Sequence, residues 1–251
     1  VLVSYNLGVS WATVTLPDGQ ASALIGHANG MFIRLSTYGL VYSSPTGAVW
    51  TAHGAADYGG EPMLWDAIIF SGGYYYLAGA VYLGGSFRAC VAKSADLTTW
   101  AYSVLGGAVT EAGIAAVGGV LVATILPGNT VKTSADGTVW ATVDITDAVS
   151  GLGYNMGGPA AVGGVLAIPL VDQGYVRATE DGGATWELIS TPSDTVYGLG
   201  AMGDYIVGFT YQSGPGYMLR LQPTGGGGGG GGGGASGWWK NLRNSTQEPI
   251  T

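Results

Sequence analysis

The chain has 251 residues, of which 47% are hydrophobic, 10% are charged and 47 are glycine, with a net charge of −8. Globular domains average about 25% charged residues, so this composition fits many short strands and tight turns, and its acidity argues against nucleic acid, whose phosphates it would repel. The lone Cys90 excludes an internal disulfide, and with only two histidines the usual four-ligand Cys/His zinc cluster is excluded as well; no metal or cofactor is implied.

The chain opens Val1-Leu2-Val3-Ser4 without an initiator Met, so a processed start and a start further upstream, with any signal, both stay open. Five hairpin signals follow, at Asn29-Gly30, Gly72-Gly73, Gly118-Gly119, Gly163-Gly164 and Gly203-Asp204. These are dipeptides that two-residue hairpin turns favour. Their second residues are spaced by 43, 46, 45 and 40. A second marker is a turn that ends on tryptophan. It is fullest at Thr179-Glu180-Asp181-Gly182-Gly183-Ala184-Thr185-Trp186 and strong at Ser134-Ala135-Asp136-Gly137-Thr138-Val139-Trp140. Looser copies end on Trp50, where Pro45 and Thr46 offer no carboxylate, and on Trp100, where Leu97 replaces glycine. Ser4-Tyr5-Asn6-Leu7-Gly8-Val9-Ser10-Trp11 is the first copy, with Asn for Asp. The tryptophans are spaced by 39, 50, 40 and 46.

Two markers sharing one period point to propeller blades, each reading strand a, b, c, turn, d. In the third unit these strands are expected at 113–117, 120–125, 130–133 and 140–143. Strands a and b are apolar on both faces, as strands packed between neighbouring sheets should be. No amphipathic helix is legible, so the expected fold is an all-β propeller of five blades over residues 1–223. The fifth hairpin lacks its turn, and the strand 11–16 lacks a preceding hairpin. Residues 11–16 are therefore expected to complete the last blade and close the ring. The uncharged stretch 112–131 is long enough to span a bilayer, but Gly113, Gly118, Gly119, Pro127 and Gly128 interrupt it in register with the repeats. No membrane insertion is expected.

The tryptophan turn explains itself locally. Asp bonds the backbone two residues on, Gly takes the positive φ, and Trp supplies a large apolar body between sheets. Asp136, Gly137, Trp140, Asp181, Gly183 and Trp186 are accordingly expected to be structural. The pattern S/T-x-D-x-G-x-T-W resembles the Asp-box, or BNR repeat, of sialidase-like β-propellers. In that family the box is a turn on the rim, away from the central site. The resemblance also implies an arginine cluster, a Tyr–Glu nucleophile pair and an acid/base Asp. Phe32-Ile33-Arg34-Leu35 matches the family's F/Y-R-I-P motif only loosely, since its arginine is displaced and its proline missing. Five units also fall short of that family's six blades.

Beyond the repeats, residues 225–234 are ten consecutive glycines. On composition the segment 224–234 reads as a flexible linker, with packed polyglycine II as the alternative. Residues 235–251 form a tail in which Trp238, Trp239, Lys240 and Arg243 make an attachment peptide, the alternative being a disordered tail. Asn244-Ser245-Thr246 fits a glycosylation sequon.

Other chemistry-bearing residues have structural readings beside functional ones. Arg34, Arg88, Arg177 and Arg220 are the arginines before the tail, and Arg34 reads as structural ahead of catalytic. Glu61 and Asp66 could form a glycosidase-type carboxylate pair, and Glu111 is equally ambiguous. His27 and His53 read as turn or surface residues, and Cys90 as a buried small hydrophobe. The leading expectation is a non-catalytic structural or receptor-binding propeller of an extracellular assembly, similar in style to a bacteriophage virion or tail protein. Its partners would be protein subunits, another copy among them, or a cell-surface glycan. A carbohydrate-binding propeller and a glycoside hydrolase are the alternatives.

Overall fold

A computed structural model describes residues 2–3, 10–16, 22–36, 38–107, 109, 111–128, 130–145, 155–171, 175–190, 196–202, 205–210 and 218–221. The chain divides into two compact units, Val1–Ala112 and Gly113–Thr251. Among the described residues there is no helix, and so none that could cross a membrane.

The first unit holds two antiparallel four-stranded sheets. One is β3 (Ser22–Ala28), β4 (Met31–Ser36), β5 (Leu40–Ser44) and β6 (Thr51–Ala55); the other is β7 (Met63–Ser71), β8 (Tyr74–Leu83), β9 (Ser86–Ser94) and β10 (Ala101–Gly106). Ahead of them β2 (Ala12–Thr13) pairs with β1 (Leu2–Val3). The interior between the two sheets is closed by Ile33, Leu35 and Val41 on one side and Trp65, Tyr75 and Leu77 on the other.

In the second unit, β11 (Glu111–Val117, its first residues lying in the first unit), β12 (Val120–Leu126), β13 (Thr130–Ser134) and β14 (Ala141–Asp144) form the third sheet. The fourth joins β15 (Asn155–Met156) and β16 (Ala160–Val162), both paired to β17 (Val165–Val171), with β18 (Tyr175–Thr179) and β19 (Glu187–Ser190). The last sheet has three described strands, β20 (Val196–Met202), β21 (Tyr205–Thr210) and β22 (Met218–Leu221). Val122, Val131, Met156, Leu166 and Ile168 fill one layer, and Ala167, Val176, Ile189 and Ile206 fill the next.

Second strands are buried along most of their length, on both faces, whereas the outer strands β6, β10 and β14 are largely open. That gradient is why the second strands read as continuous apolar runs. Four of the expected hairpin turns have positive φ at both central residues, from Asn29 (51°) and Gly30 (72°) to Gly163 (59°) and Gly164 (85°). This is the geometry whose twist matches the flanking strands. Gly203 and Asp204 lie outside the described residues.

The four later tryptophan turns share one hydrogen-bond pattern. A hydroxyl at the strand end accepts an amide at the turn's apex: Ser44 from Gly47 (2.8 Å), Ser94 from Leu97 (2.9 Å), Ser134 from Gly137 (2.8 Å) and Thr179 from Gly183 (2.9 Å). The same apical residue offers its carbonyl to the indole N–H of Trp50, Trp100, Trp140 or Trp186, at 3.0–3.2 Å. Each of those tryptophans is half-buried, whereas Trp11 is 61% exposed, and residues 4–9 of the first copy lie outside the described residues.

Leu97 keeps this geometry without being glycine. Its φ is 65°, against 77° at Gly137, and its side chain is 2% exposed in the layer between the first two sheets. Left-handed backbone costs a non-glycine residue about 1–2 kcal/mol, while emptying a buried leucine site costs about 2–5 kcal/mol. Burial wins. Leu97→Gly is therefore expected to destabilise the protein by about 1–3 kcal/mol; chemical denaturation giving an unchanged or raised midpoint would show that strain dominates.

Candidate functional site

The turn carboxylates are occupied by their own turns. Asp136 Oδ1 accepts the amides of Thr138 (2.8 Å) and Val139 (3.2 Å), and Asp96 Oδ1 those of Thr98 and Thr99, both at 2.8 Å. Asp181 accepts the amide (2.9 Å) and hydroxyl (2.6 Å) of Thr185 and the hydroxyl of Thr179 (2.8 Å). In the first turn Thr46 stands in, its hydroxyl accepting the Ala48 amide at 3.3 Å. These bonds favour the ionised form. Bonds from the Thr99 and Thr98 amides lower Asp96, and those from the Thr138 hydroxyl and amide lower Asp136 well below the usual carboxylate range. At Asp181 desolvation opposes, but the Thr185, Thr179 and Ala184 bonds outweigh it and bring the carboxyl down to about 2.

The remaining sequence candidates are dispersed. Arg34 is fully buried with its guanidinium carbon 5.1 Å from the Tyr42 ring centroid, and Arg177 is 4% exposed. Neither can meet a substrate carboxylate from solvent. Cys90 is buried, and desolvation pushes its thiol up to about 12, so it is inert. His27 lies edge-on to Phe32, while His53 Nε2 is 2.7 Å from the Ser43 hydroxyl. Among the described residues no group of three or more His, Cys, Asp or Glu could hold a metal. Trp238, Trp239, Lys240 and Arg243 lie outside the described residues, as do the glycine run and the side chain of Arg220.

What the structure does bring together lies at one end of the second sheet. Strands β8 and β9 have 10 and 9 residues, against 6 and 5 for β4 and β5 and 7 and 5 for β12 and β13. At about 3.3 Å per residue the β8–β9 hairpin is longer by roughly 10 Å. It turns on Gly84 (φ 59°) and Gly85 (φ 91°). Just below, Tyr82 faces Phe87 across the hairpin, ring centroids 5.2 Å apart at 66°, and Tyr82 is 40% exposed. Leu64, opposite Ala80 and so on the Tyr82 face, is also exposed, whereas Arg88 pairs with Val81 and belongs to the other face.

The chain leaving β10 runs back across this end. The Val109 amide donates to the Phe87 carbonyl (3.1 Å), and the Ala112 amide donates to Asp66 Oδ2 (2.9 Å). Asp66 is the extra residue of a β-bulge, since Trp65 pairs with Gly79 and Ala67 with Ala78. Bulges re-aim a side chain, and this one turns a carboxylate toward the start of β11. The residue as a whole is exposed, yet the carboxylate at this bond is partly buried. Desolvation, with the nearby charge of Glu111, outweighs the Ala112 bond and raises Asp66 to about 6. Asp66 thus has Glu111 as its carboxylate neighbour, while the Glu61 amide closes a turn onto the Tyr58 carbonyl. This end of the sheet thus carries an aromatic and apolar set on one face, Leu64, Tyr82 and Phe87, and an acidic pair, Asp66 and Glu111, where the returning segment is held. The 50-residue interval between Trp50 and Trp100, the longest of the series, and the dipeptide Gly84-Gly85 are its sequence signals.

The two kinds of carboxylate predict pH dependences of opposite sign. Asp181 has a folded pKa below the unfolded 3.8, so its stabilisation is present above about pH 4 and is lost as pH falls toward 2. Asp66 has a folded pKa above 3.8, so stability rises as pH falls from about 6 to about 4. Thermal melts from pH 2 to 8 should show both slopes, and Asp66→Asn should abolish the upper one and raise Tm at pH 7; an unchanged upper slope in that variant would refute the assignment.

No protein-family model matches the sequence, and no curated protein matches it. Solved structures do match. A streptogramin B lyase is 12% identical with a TM-score of 0.58, covering 80% of this chain and 66% of its own. A catalytically inactive virginiamycin B lyase from Staphylococcus aureus with quinupristin is 9% identical with a TM-score of 0.63, covering 83% and 69%. A chain of a nidogen/laminin complex is 14% identical with a TM-score of 0.56, covering 80% and 77%. The chain thus spans just under two thirds of the streptogramin B lyase, and the likeness concerns fold alone. With several four-stranded antiparallel sheets and no helix among the described residues, the chain folds as an all-β propeller.

Proposed function

We propose that the chain is a non-catalytic binding propeller of an extracellular assembly, of the kind found in bacteriophage virions or tails. In this reading its tryptophan turns are Asp-boxes and its five larger sheets are blades. The observation that carries the reading is the long second-sheet hairpin, which presents Tyr82 and Leu64 to solvent at the end of the sheet where Asp66 and Glu111 also lie. Buried aromatic and apolar anchors dominate interface energies, so a protruding hairpin of this composition suits contact with a partner. The burial of Arg34 and Arg177 supports binding over sialidase-type hydrolysis, because an arginine clamp on an anionic sugar must be reachable.

A glycan-directed reading has one observation of its own, the raised carboxyl of Asp66 beside Glu111, a pairing that glycosidases use for acid catalysis. A panel of fluorogenic glycosides is expected to give no turnover. Turnover lost in Asp66→Asn would replace the proposal with a hydrolase, and glycan-array binding lost in Tyr82→Ser would make the hairpin a sugar site.

A further inference from the structure

We infer that the aromatic and acidic face of the long second-sheet hairpin receives the segment Trp238-Trp239-Lys240-Asn241-Leu242-Arg243 of a second copy of this chain. The inference rests on the proposed binding role of the hairpin and names its partner. The parts of this face are tied together through the backbone. Tyr82 meets Phe87 through their rings, the Phe87 carbonyl takes the Val109 amide, and Glu111 follows two residues on, beside the Asp66 that holds Ala112. Leu64 extends it as an exposed apolar surface. Asp66 and Glu111 are acidic, Glu61 precedes Pro62 whose carbonyl accepts the Tyr82 amide (2.9 Å), and Arg88 is turned to the opposite face by strand alternation.

A surface of aromatic rings and carboxylates is complementary to a peptide of aromatic rings and cations. Cations sit favourably over tyrosine and phenylalanine faces and pair with carboxylates. An anionic partner would meet both Asp66 and Glu111 and a chain of net charge −8. The 235–251 segment has the matching composition: two tryptophans, Lys240 and Arg243 within six residues, against a single acidic residue, Glu248. Tryptophan and arginine are also the residue types most enriched among interface hot spots. Because the two contacting surfaces differ, the contact is heterologous. It closes when two chains exchange segments and otherwise extends from copy to copy.

The test uses the full chain in sedimentation velocity across a concentration series. The wild type is expected to self-associate with rising concentration. Tyr82→Ser/Glu111→Gln and Trp238→Ala/Trp239→Ala, each checked for native thermal unfolding, are each expected to weaken association at least tenfold. Mixing the two variants should restore a 1:1 complex, since one retains a hairpin and the other a segment. This complementation does not arise if either variant has merely lost its fold. A wild type that stays monomeric, association that survives either double substitution, or failure of the mixture to associate would overturn the inference. Glycan-array binding lost in the hairpin variant while sedimentation is unchanged would do so too, and would leave the binding role of the hairpin standing.

Discussion

Gly79→Ala is expected to collapse the second sheet. A Cβ built there lies 1.9 Å from the Leu64 carbonyl oxygen and 2.9 Å from the Trp65 Cα, backbone atoms that no rotamer change can move aside. The crowding has a definite origin. The bulge at Asp66 folds the β7 backbone over the position opposite Trp65, and only a residue without a side chain fits beneath it. Relief would require opening the bulge, which shifts Trp65, 3% exposed in the interior of the first unit, and breaks the register that aims Asp66 at Ala112. The cost should reach or exceed the ~3 kcal/mol upper end of ordinary over-packing. Gly200→Ala, with nothing within 4 Å of its Cβ among the described residues and no positive φ, is the control. Denaturant unfolding should separate the two by midpoint; equal midpoints would mean the bulge is not fixed by Gly79.

Gly113→Ala should produce the second largest loss. Its Cβ would lie 2.4 Å from Pro159 Cδ, 2.8 Å from the Thr124 hydroxyl and 3.0 Å from Gly158 Cα. The Gly113 amide also donates to that hydroxyl (3.2 Å), which in turn donates to the Gly157 carbonyl (3.4 Å). Thr124 is fully buried, so a displaced hydroxyl finds no water in exchange. Steric cost and a broken buried bond together are expected to remove about 2–4 kcal/mol. Gly158→Ala, whose Cβ meets nothing within 4 Å among the described residues, should be near neutral. If both variants melt together, the close approach of Gly113 to the segment 157–159 is not a stability determinant.

Short-range chemistry is legible in the order of the residues. The hairpin dipeptides require positive φ at adjacent residues, and the tryptophan turns close through bonds spanning two to four residues, from Ser134 to Gly137 and from Asp181 to Thr185. Such units are written in contiguous residue types, so their period and the all-β fold were readable. Even the substituted turns obey the pattern, with the Thr46 hydroxyl standing for a carboxylate and Leu97 accepting the left-handed backbone. Features that depend on distant neighbours come only with packing. Asp66 and Ala112 are 46 residues apart, and no local pattern announces that a bulge will join them. Arg34 looks like any strand-end cation until its sheet is packed, and then it is buried against Tyr42. The pairing of Ala12–Thr13 with Leu2–Val3 is likewise not announced by either segment, because strand pairing is a choice among edges. Local turns are fixed by the few residues that make them, whereas register, bulges and burial are fixed by what another strand presents.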